Sequence, residues 1–406
     1  MKIAFLTSIY PAHAEKIYKE NPSLKNKSSD EQMEFIRWHA LSSYVRWFEL
    51  LEQRGYKICI FNCCLPKVEF AWAKENKFIT KSKNPVMEIG KEKIKCFKPD
   101  IIYCFAPTLY ISNGYLDELL GEFTLKPKTI AWYGANVGDE NIFNCVDFTL
   151  SNSKHLVKKL CAKGNKAYFL QHSFDPIILE HIKVPDFRKK RMGFFGNIDV
   201  STIDFEIRTK TLERLAANSE IFDLFGQIET PTIKETIKFN LLKYRQITAH
   251  MMENICENNK IKKWAQEKNM PPSPWKYSRK FVHKIKKPKF GKEMFQELIH
   301  YLIAFNFHNQ HTGNYACNMR LFEATGLGCA LLTDNKSDIG QYFENGKEIL
   351  TYNCVDDAIE KMEFLLNNQS FAHEMGKLGQ NKCIESHNTP NIINILCQYF
   401  QKIVLI

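Results

Sequence analysis

Short apolar runs alternate with helical stretches along most of this chain, and that alternation leaves few folds open. Ile3–Thr7, Tyr56–Asn62, Asp100–Ala106, Thr129–Trp132, Phe148–Ser151 and Ala167–Leu170 read as buried strands. Between them, apolar residues recur at helical spacing. Buried strands separated by helix-length segments form a parallel sheet covered by helices. Ser8–Asn26 reads as a loop. Ser29-Asp30-Glu31-Gln32 reads as a capping box, opening one helix through Met33, Ile36, Ala40, Leu41, Phe48 and Leu51 that Gly55 ends.

The chain turns polar and basic around Val184–Arg191, and a second series of strands begins at Met192–Phe195 and continues with Ile221–Phe225, Leu302–Phe307 and Ala330–Thr333. A long helical stretch covers about Thr232–Glu267, and Pro390–Lys402 reads as a last helix. At 406 residues, two domains are expected. The boundaries fall at 1–186 and 187–388, with a basic helical insertion at about 228–287 and a closing helix, 389–406, that can cross back to the first domain. The fold class is α/β, with two doubly wound, Rossmann-like domains facing a cleft.

No apolar run approaches the ~20 residues that cross a bilayer, and the first residues are too quickly polar for a signal peptide. Thirteen cysteines form no CxxC pair, which fits a reducing compartment. A cytoplasmic protein is expected, if need be peripheral at the inner face of a membrane. The formal charge is +11, and Gln227–Phe295 alone carries 16 Lys and Arg against 6 Glu and no Asp. Such a block fits an anionic partner or a solvated helix face. Trp275, Tyr277, Phe281 and Phe290 interleave with lysines there, as a segment docking on an anionic membrane surface would.

Ligands of doubly wound sheets sit outside the carboxyl ends of the strands. In the first half those ends offer Ser8, Tyr10, Tyr133 and Asn136. In the second half the informative stretch is Asn306-Phe307-His308 followed by Asn318-Met319-Arg320-Leu321-Phe322-Glu323-Ala324-Thr325-Gly326. A helix N-terminus presents unpaired amides and partial positive charge to anions, and Asn318 is a competent cap. Arg320 can pair with a phosphate, and Glu323 can accept hydrogen bonds from ribose hydroxyls. The same spacing also fits a plain Arg–Glu helix pair. His13 and His172 are candidate general bases, with Asp30 and Glu31 behind them. His308-Asn309-Gln310-His311 offers two ligands where zinc needs three or four, so no metal site is expected.

The stretch resembles the C-terminal signature of group-1-type, GT-B glycosyltransferases, in the branch with spore-maturation-type enzymes: N-x-R-x-F-E-A-x-x-x-G before a strand. Further segments follow in the family's order. They are Tyr10-Pro11, Trp72-Ala73, Lys98-Pro99-Asp100, His172-Ser173-Phe174-Asp175, Phe194-Phe195-Gly196-Asn197 with Arg208, Glu374-Met375-Gly376 and Ser386-His387-Asn388-Thr389. The resemblance implies a GT-B fold that binds a nucleotide-sugar donor in the C-terminal half and a glycan or lipid-linked acceptor in the N-terminal half. It implies that Glu323 holds the ribose and that Gly196–Asn197 lies against the donor phosphates. Many retaining members carry a second Glu where this chain has Tyr315. No DxD motif is present to hold a cation, so Arg320, the helix start at Asn318, and Arg208 are expected to stabilise the leaving diphosphate without metal or cofactor. The expected activity is sugar transfer in surface polysaccharide or glycoconjugate synthesis. An inactive nucleotide-sugar-binding subunit is one alternative. A nucleic-acid-binding protein using the basic insertion is another, although no reading motif occurs and no nucleic acid partner is expected.

Overall fold

The computed structural model describes residues 1–404 apart from 42–45, 135–138, 199–202, 229, 253–259, 262–263, 265–276 and 309–311. Two compact units result. One is Met1–Phe195 with Lys289–Ile406, and the other is Gly196–Pro288.

The first unit contains β1 (Lys2–Thr7), β2 (Lys57–Asn62), β3 (Ile101–Cys104), β4 (Lys128–Trp132), β5 (Phe148–Ser151) and β6 (Ala167–Phe169) in the order β2-β1-β3-β4-β5-β6. Every neighbouring pair is parallel. All residues of β3 and β5 are buried, as a sheet covered on both faces requires. One face packs Leu6, Phe61, Tyr110 and Phe143. The other packs Phe5, Tyr103 and Phe148 together with Ile393, Leu396 and Phe400 of the last helix, Thr389–Val404. The chain order reverses between β1 and β3, which opens a crevice at their carboxyl ends.

The last helix reaches this sheet through a backbone crossing. Phe174 N donates to His387 O at 3.0 Å and Thr389 N donates to Phe174 O at 3.0 Å. The Phe174 ring fills the space beside Gly326, where a Cβ would lie 2.2 Å from the ring. The segment His172–Asp175 is therefore a packed joint, with Asp175 wholly buried.

Further along come β7 (Lys189–Phe195) and, in the second unit, β8 (Phe222–Phe225) and β9 (Ile285–Lys286), which pair in parallel. Around β8 and β9 the second unit has the helices Ile203–Asn218, Ile233–Met252 and Arg279–Lys284. Back in the first unit, β10 (Tyr301–Asn306), β11 (Ala330–Asp334) and β12 (Leu350–Tyr352) continue from β7 in the order β12-β11-β10-β7, again all parallel. Helix Gln369–Ser386 closes on the turn before β11 at Gly376, where a Cβ would stand 2.3 Å from Gly328 O.

Four local expectations need correction. Ser8–Asn26 is largely helical, with an α-helix at Pro11–Glu20 and a 3-10 turn at Pro22–Asn26. Proline at the first helical position, whose N–H would be unpaired anyway, starts both. The capping box lies one residue earlier than read: Ser28 Oγ accepts from Glu31 N at 3.3 Å, and Glu31 accepts from Ser28 N at 3.0 Å. That helix, Ser29–Ala40, ends at Leu41 in a left-handed conformation (φ 38), and a separate helix covers Trp47–Glu52. The described aromatics expected to dock on lipid are engaged in packing: Phe281 is buried, Tyr277 lies edge-on to it at 5.9 Å, and Phe290 stacks on His13 at 5.4 Å. Trp275 lies outside the described residues. Among the described residues, no helix is long and apolar enough to cross a membrane.

Candidate active site

The carboxyl ends of β10 and β11 and the start of helix Met319–Gly326 form one hydrogen-bonded corner. Asn318 is the N-cap, its Oδ1 accepting from Arg320 N at 2.8 Å. Its Nδ2 donates to Asn306 Oδ1 at 2.8 Å and to Phe307 O at 3.3 Å. Asn306 Nδ2 in turn donates to Thr333 Oγ1 at 3.0 Å. A cap amide tied to two strand ends fixes where the positive end of the helix points.

Arg320 and Glu323 form the i, i+3 pair that their spacing allows, with Nη1 and Oε2 2.9 Å apart and the side chains 15% and 8% exposed. The pair is thus mostly buried. The guanidinium also donates to Phe195 O at the end of β7, at 3.1 Å, while its Nε is buried without a partner. Arg320 therefore positions Glu323 against the end of β7 and adds positive charge beside the helix start.

Beneath the cap lies a cluster that sequence spacing hid. His308 is fully buried, and both its backbone N–H and its Nδ1 lie 2.8 Å from Asp334 Oδ1. Lys336 Nζ sits 3.2 Å from the other carboxylate oxygen. Burial pushes the Asp334 carboxyl up, but the His308 and Lys336 contacts outweigh it and hold the group below the usual range. His308 Nε2 is buried with no partner. Asp334 and Lys336 are 26 and 28 positions from His308, and only the parallel pairing of β10 with β11 brings them together. The second histidine of the HxxH pair, His311, lies outside the described residues. Among the described residues, no three His, Cys, Asp or Glu side chains gather into a metal site.

The loop before the helix is anchored to the end of β5. Asn152 Nδ2 donates to Cys317 O, Lys154 Nζ lies 2.8 Å from Asp338, which accepts from Ala316 N at 2.7 Å, and Lys158 Nζ donates to Tyr315 Oη at 2.6 Å. Tyr315, in the position where the resembled family has a second Glu, is thus held against the first sheet's helix Lys154–Ala162. Gly134 sits at the same place, since a Cβ there would meet Asn152 Oδ1 at 2.0 Å.

The remaining candidates are dispersed. Ser8 and Tyr10 are exposed near the end of β1, Tyr10 6.0 Å from Phe290. Tyr133 is half-buried against Phe143, and Asn136 lies outside the described residues. In the second unit, Arg208 is buried and donates to Asn197 O, bracing the turn at Gly196, whose N–H donates to Phe225 O at 3.0 Å. His13 lies in the first turn of a helix, not in a loop. Burial, aided by His39 and Lys16 and opposed by Glu293, lowers its imidazole to about 4, and burial alone lowers His172 to about 3. Both are neutral at pH 7, as a base must be.

These shifts set a pH dependence. Below 6.5 the unfolded chain protonates both imidazoles, while the folded chain resists until about 4 and 3. The unfolded state binds more protons in that window, so stability is complete above 6.5 and falls as pH drops towards 4. Urea unfolding at pH 7, 5.5 and 4.5 should show this slope, and His172→Phe should flatten it. An unchanged slope in both His172→Phe and His13→Gln would contradict the assignment.

A cavity of about 410 Å³ opens between helix Ser29–Ala40 and the chain near Lys292. Phe35, Trp38, His39, His181, Glu31 and Glu34 line it. Its rings are ordered in pairs, Trp38 on His181 at 4.4 Å and Phe35 on His39 at 4.7 Å. Sequence reading missed it because His181 and Lys292 come from distant segments.

Residues 245–398 match a family model described as glycosyl transferase-like. No curated protein sequence matches this chain, but solved structures do. It aligns over 99% of its length with sucrose-phosphate synthase from Thermosynechococcus elongatus (98% of that chain, 9% identity, TM-score 0.52). HepE of Anabaena in complex with UDP and glucose matches similarly (100% of that chain, 11%, 0.54). So does an alpha-glucosyltransferase in complex with UDP-glucose and DNA containing an abasic site (99%, 10%, 0.55). At such identities the likeness is one of fold. The chain has the GT-B fold, with two Rossmann-like parallel sheets.

Proposed function

We propose that this protein is a glycosyltransferase that moves a sugar from a nucleotide-sugar to a glycan or lipid-linked acceptor, in surface polysaccharide or glycoconjugate synthesis. The observation that carries the reading is the Asn318 corner: a capped helix start locked to two strand ends, with Arg320 and Glu323 beside it. HepE and the alpha-glucosyltransferase, which share the fold, are in complex with UDP or UDP-glucose, and a uridine nucleotide is the first donor to try here.

In this reading the amides of Asn318 and Met319 face the diphosphate, while the Arg320 N–H is held by the Asn318 cap. Negative charge grows on it as the glycosidic bond breaks, and preoriented amides stabilise that charge without reorganising. Glu323, held by Arg320, accepts hydrogen bonds from the ribose. No metal ion is required. The acceptor lies on the side of Ser8, Tyr10 and Tyr133. The aromatic cavity at Trp38 takes the body of the acceptor, its rings against the sugar's C–H faces and its carboxylates on hydroxyls.

Nucleotide release with a panel of nucleotide-sugars and glycan acceptors, in the presence of EDTA, tests the reading. One donor should give acceptor-dependent release. Trp38→Ala should raise the acceptor KM about tenfold and leave donor binding unchanged. If no donor supports release, the activity assigned here is wrong. One observation favours a second reading: Tyr315, bonded to Lys158, replaces a carboxylate. A chain that binds the nucleotide-sugar tightly yet never releases nucleotide would be an inactive binding subunit.

A further inference from the structure

Helix Ile233–Met252 of the second unit turns much of its apolar surface outward. At ~100° per residue, Ile233, Ile237, Leu241, Tyr244 and Met251 fall within an arc of about 80°. They are 80%, 54%, 65%, 68% and 70% exposed. The opposite side is the covered one: Ala249 is buried, and Phe239, Leu242 and Gln246 are half-buried. Single exposed apolar residues are ordinary, but a continuous stripe is a contact surface.

Charge says what the contact is. Exposed Lys234 and Lys238 run along one border of the stripe, and exposed Lys243 lies beyond the other. The helix has one acidic residue, Glu235, set away from the stripe. An apolar stripe flanked by lysines suits a helix lying flat in a headgroup layer. Lipid phosphates meet the ammonium groups, and the apolar side chains enter the acyl boundary. A second copy of the helix would instead bring lysine rows against lysine rows. We propose that helix Ile233–Met252 is a membrane-docking element for an anionic bilayer surface, taking the role that the sequence had pointed to in the aromatics of 275–290. The docking does not depend on the transferase activity.

The test is flotation of the full chain with two kinds of vesicle. One is phosphatidylcholine containing about one-third phosphatidylglycerol, and the other is pure phosphatidylcholine. The protein should float with the anionic vesicles only. L241E/Y244E should reduce partitioning at least about tenfold, and K234E/K238E should reduce it and weaken its salt dependence. These side chains are exposed, so each variant should keep the wild-type Tm and nucleotide response. Equal flotation with both vesicles, no flotation, or stripe variants that float like wild type would overturn the proposal. So would a lipid-free dimer that L241E/Y244E dissolves, since the stripe would then belong to a second copy.

Discussion

Arg320→Ala is expected to lower kcat/KM by about 10²–10³ and stability by about 3–5 kcal/mol. Two separate causes act. The guanidinium is the partner of the mostly buried Glu323 carboxylate, at 2.9 Å, and its loss leaves a charge in a low-dielectric site with nothing to balance it. It also bridges to Phe195 O, so its loss frees Glu323 from the end of β7 and removes positive charge beside the helix start. Lysine cannot restore both contacts, because a point charge lacks the planar fork that reaches Glu323 and Phe195 O together. A double variant separates the causes. R320M/E323L removes the charge with its partner and should recover most of the stability, yet it should stay as inactive as Arg320→Ala. Urea unfolding and steady-state kinetics on the three proteins read both quantities. An active double variant would mean the pair only holds the fold together.

Gly376→Ala should be among the most destabilising single methyl additions in the chain, by about 3 kcal/mol or more. Its Cβ would stand 2.3 Å from Gly328 O and 3.2 Å from Ala330 N. Both are backbone atoms and cannot rotate aside. Gly328 is itself fixed, with φ +74 and the Arg188 guanidinium beside it. Arg188 donates to Leu327 O at 2.6 Å and to Ile299 O at 2.7 Å, so it holds the carboxyl end of the Met319–Gly326 helix, where a cation is favoured. Either helix Gln369–Ser386 lifts, or the turn into β11 moves and the Asn318 corner moves with it. Gly340→Ala is the control: nothing lies within 4 Å of its Cβ, and it should change stability by no more than about 0.5 kcal/mol. Equal stabilities for the two variants would show that the helix does not bear on the turn as described.

The central strands β3, β5, β10 and β11 were legible because every residue in them is buried, so their apolar runs are continuous, whereas the short edge strands β9 and β12 carry no such run. Helix boundaries were less so. The run Met33–Leu51 keeps helical spacing on both sides of Leu41, and the break there is a left-handed leucine, which no glycine or proline announces. The helix at Pro11 was hidden behind polar residues that suit a loop equally well. At the site, the Asn318 cap and the Arg320–Glu323 pair could be read because they are local. That the pair is buried could not, since burial comes from the end of β7. The His308–Asp334–Lys336 cluster and the Trp38–His181 cavity are products of strand and helix neighbours far apart in the chain. The outward stripe on Ile233–Met252 was missed for another reason. Apolar residues at helical spacing read as a buried face, and only the fold shows which side of a helix is covered.

Thermal unfolding with UDP, GDP, dTDP and CMP, each in EDTA, shows whether the amides at Asn318 neutralise a nucleotide diphosphate. A ligand at 100 times its Kd stabilises the native state by about 2.7 kcal/mol. One nucleoside diphosphate should raise Tm by several degrees, and Asn318→Ala, which removes the cap and its links to Asn306 and Phe307, should abolish most of the shift. Four nucleotides that leave Tm unmoved, or a shift that survives intact in Asn318→Ala, would contradict it.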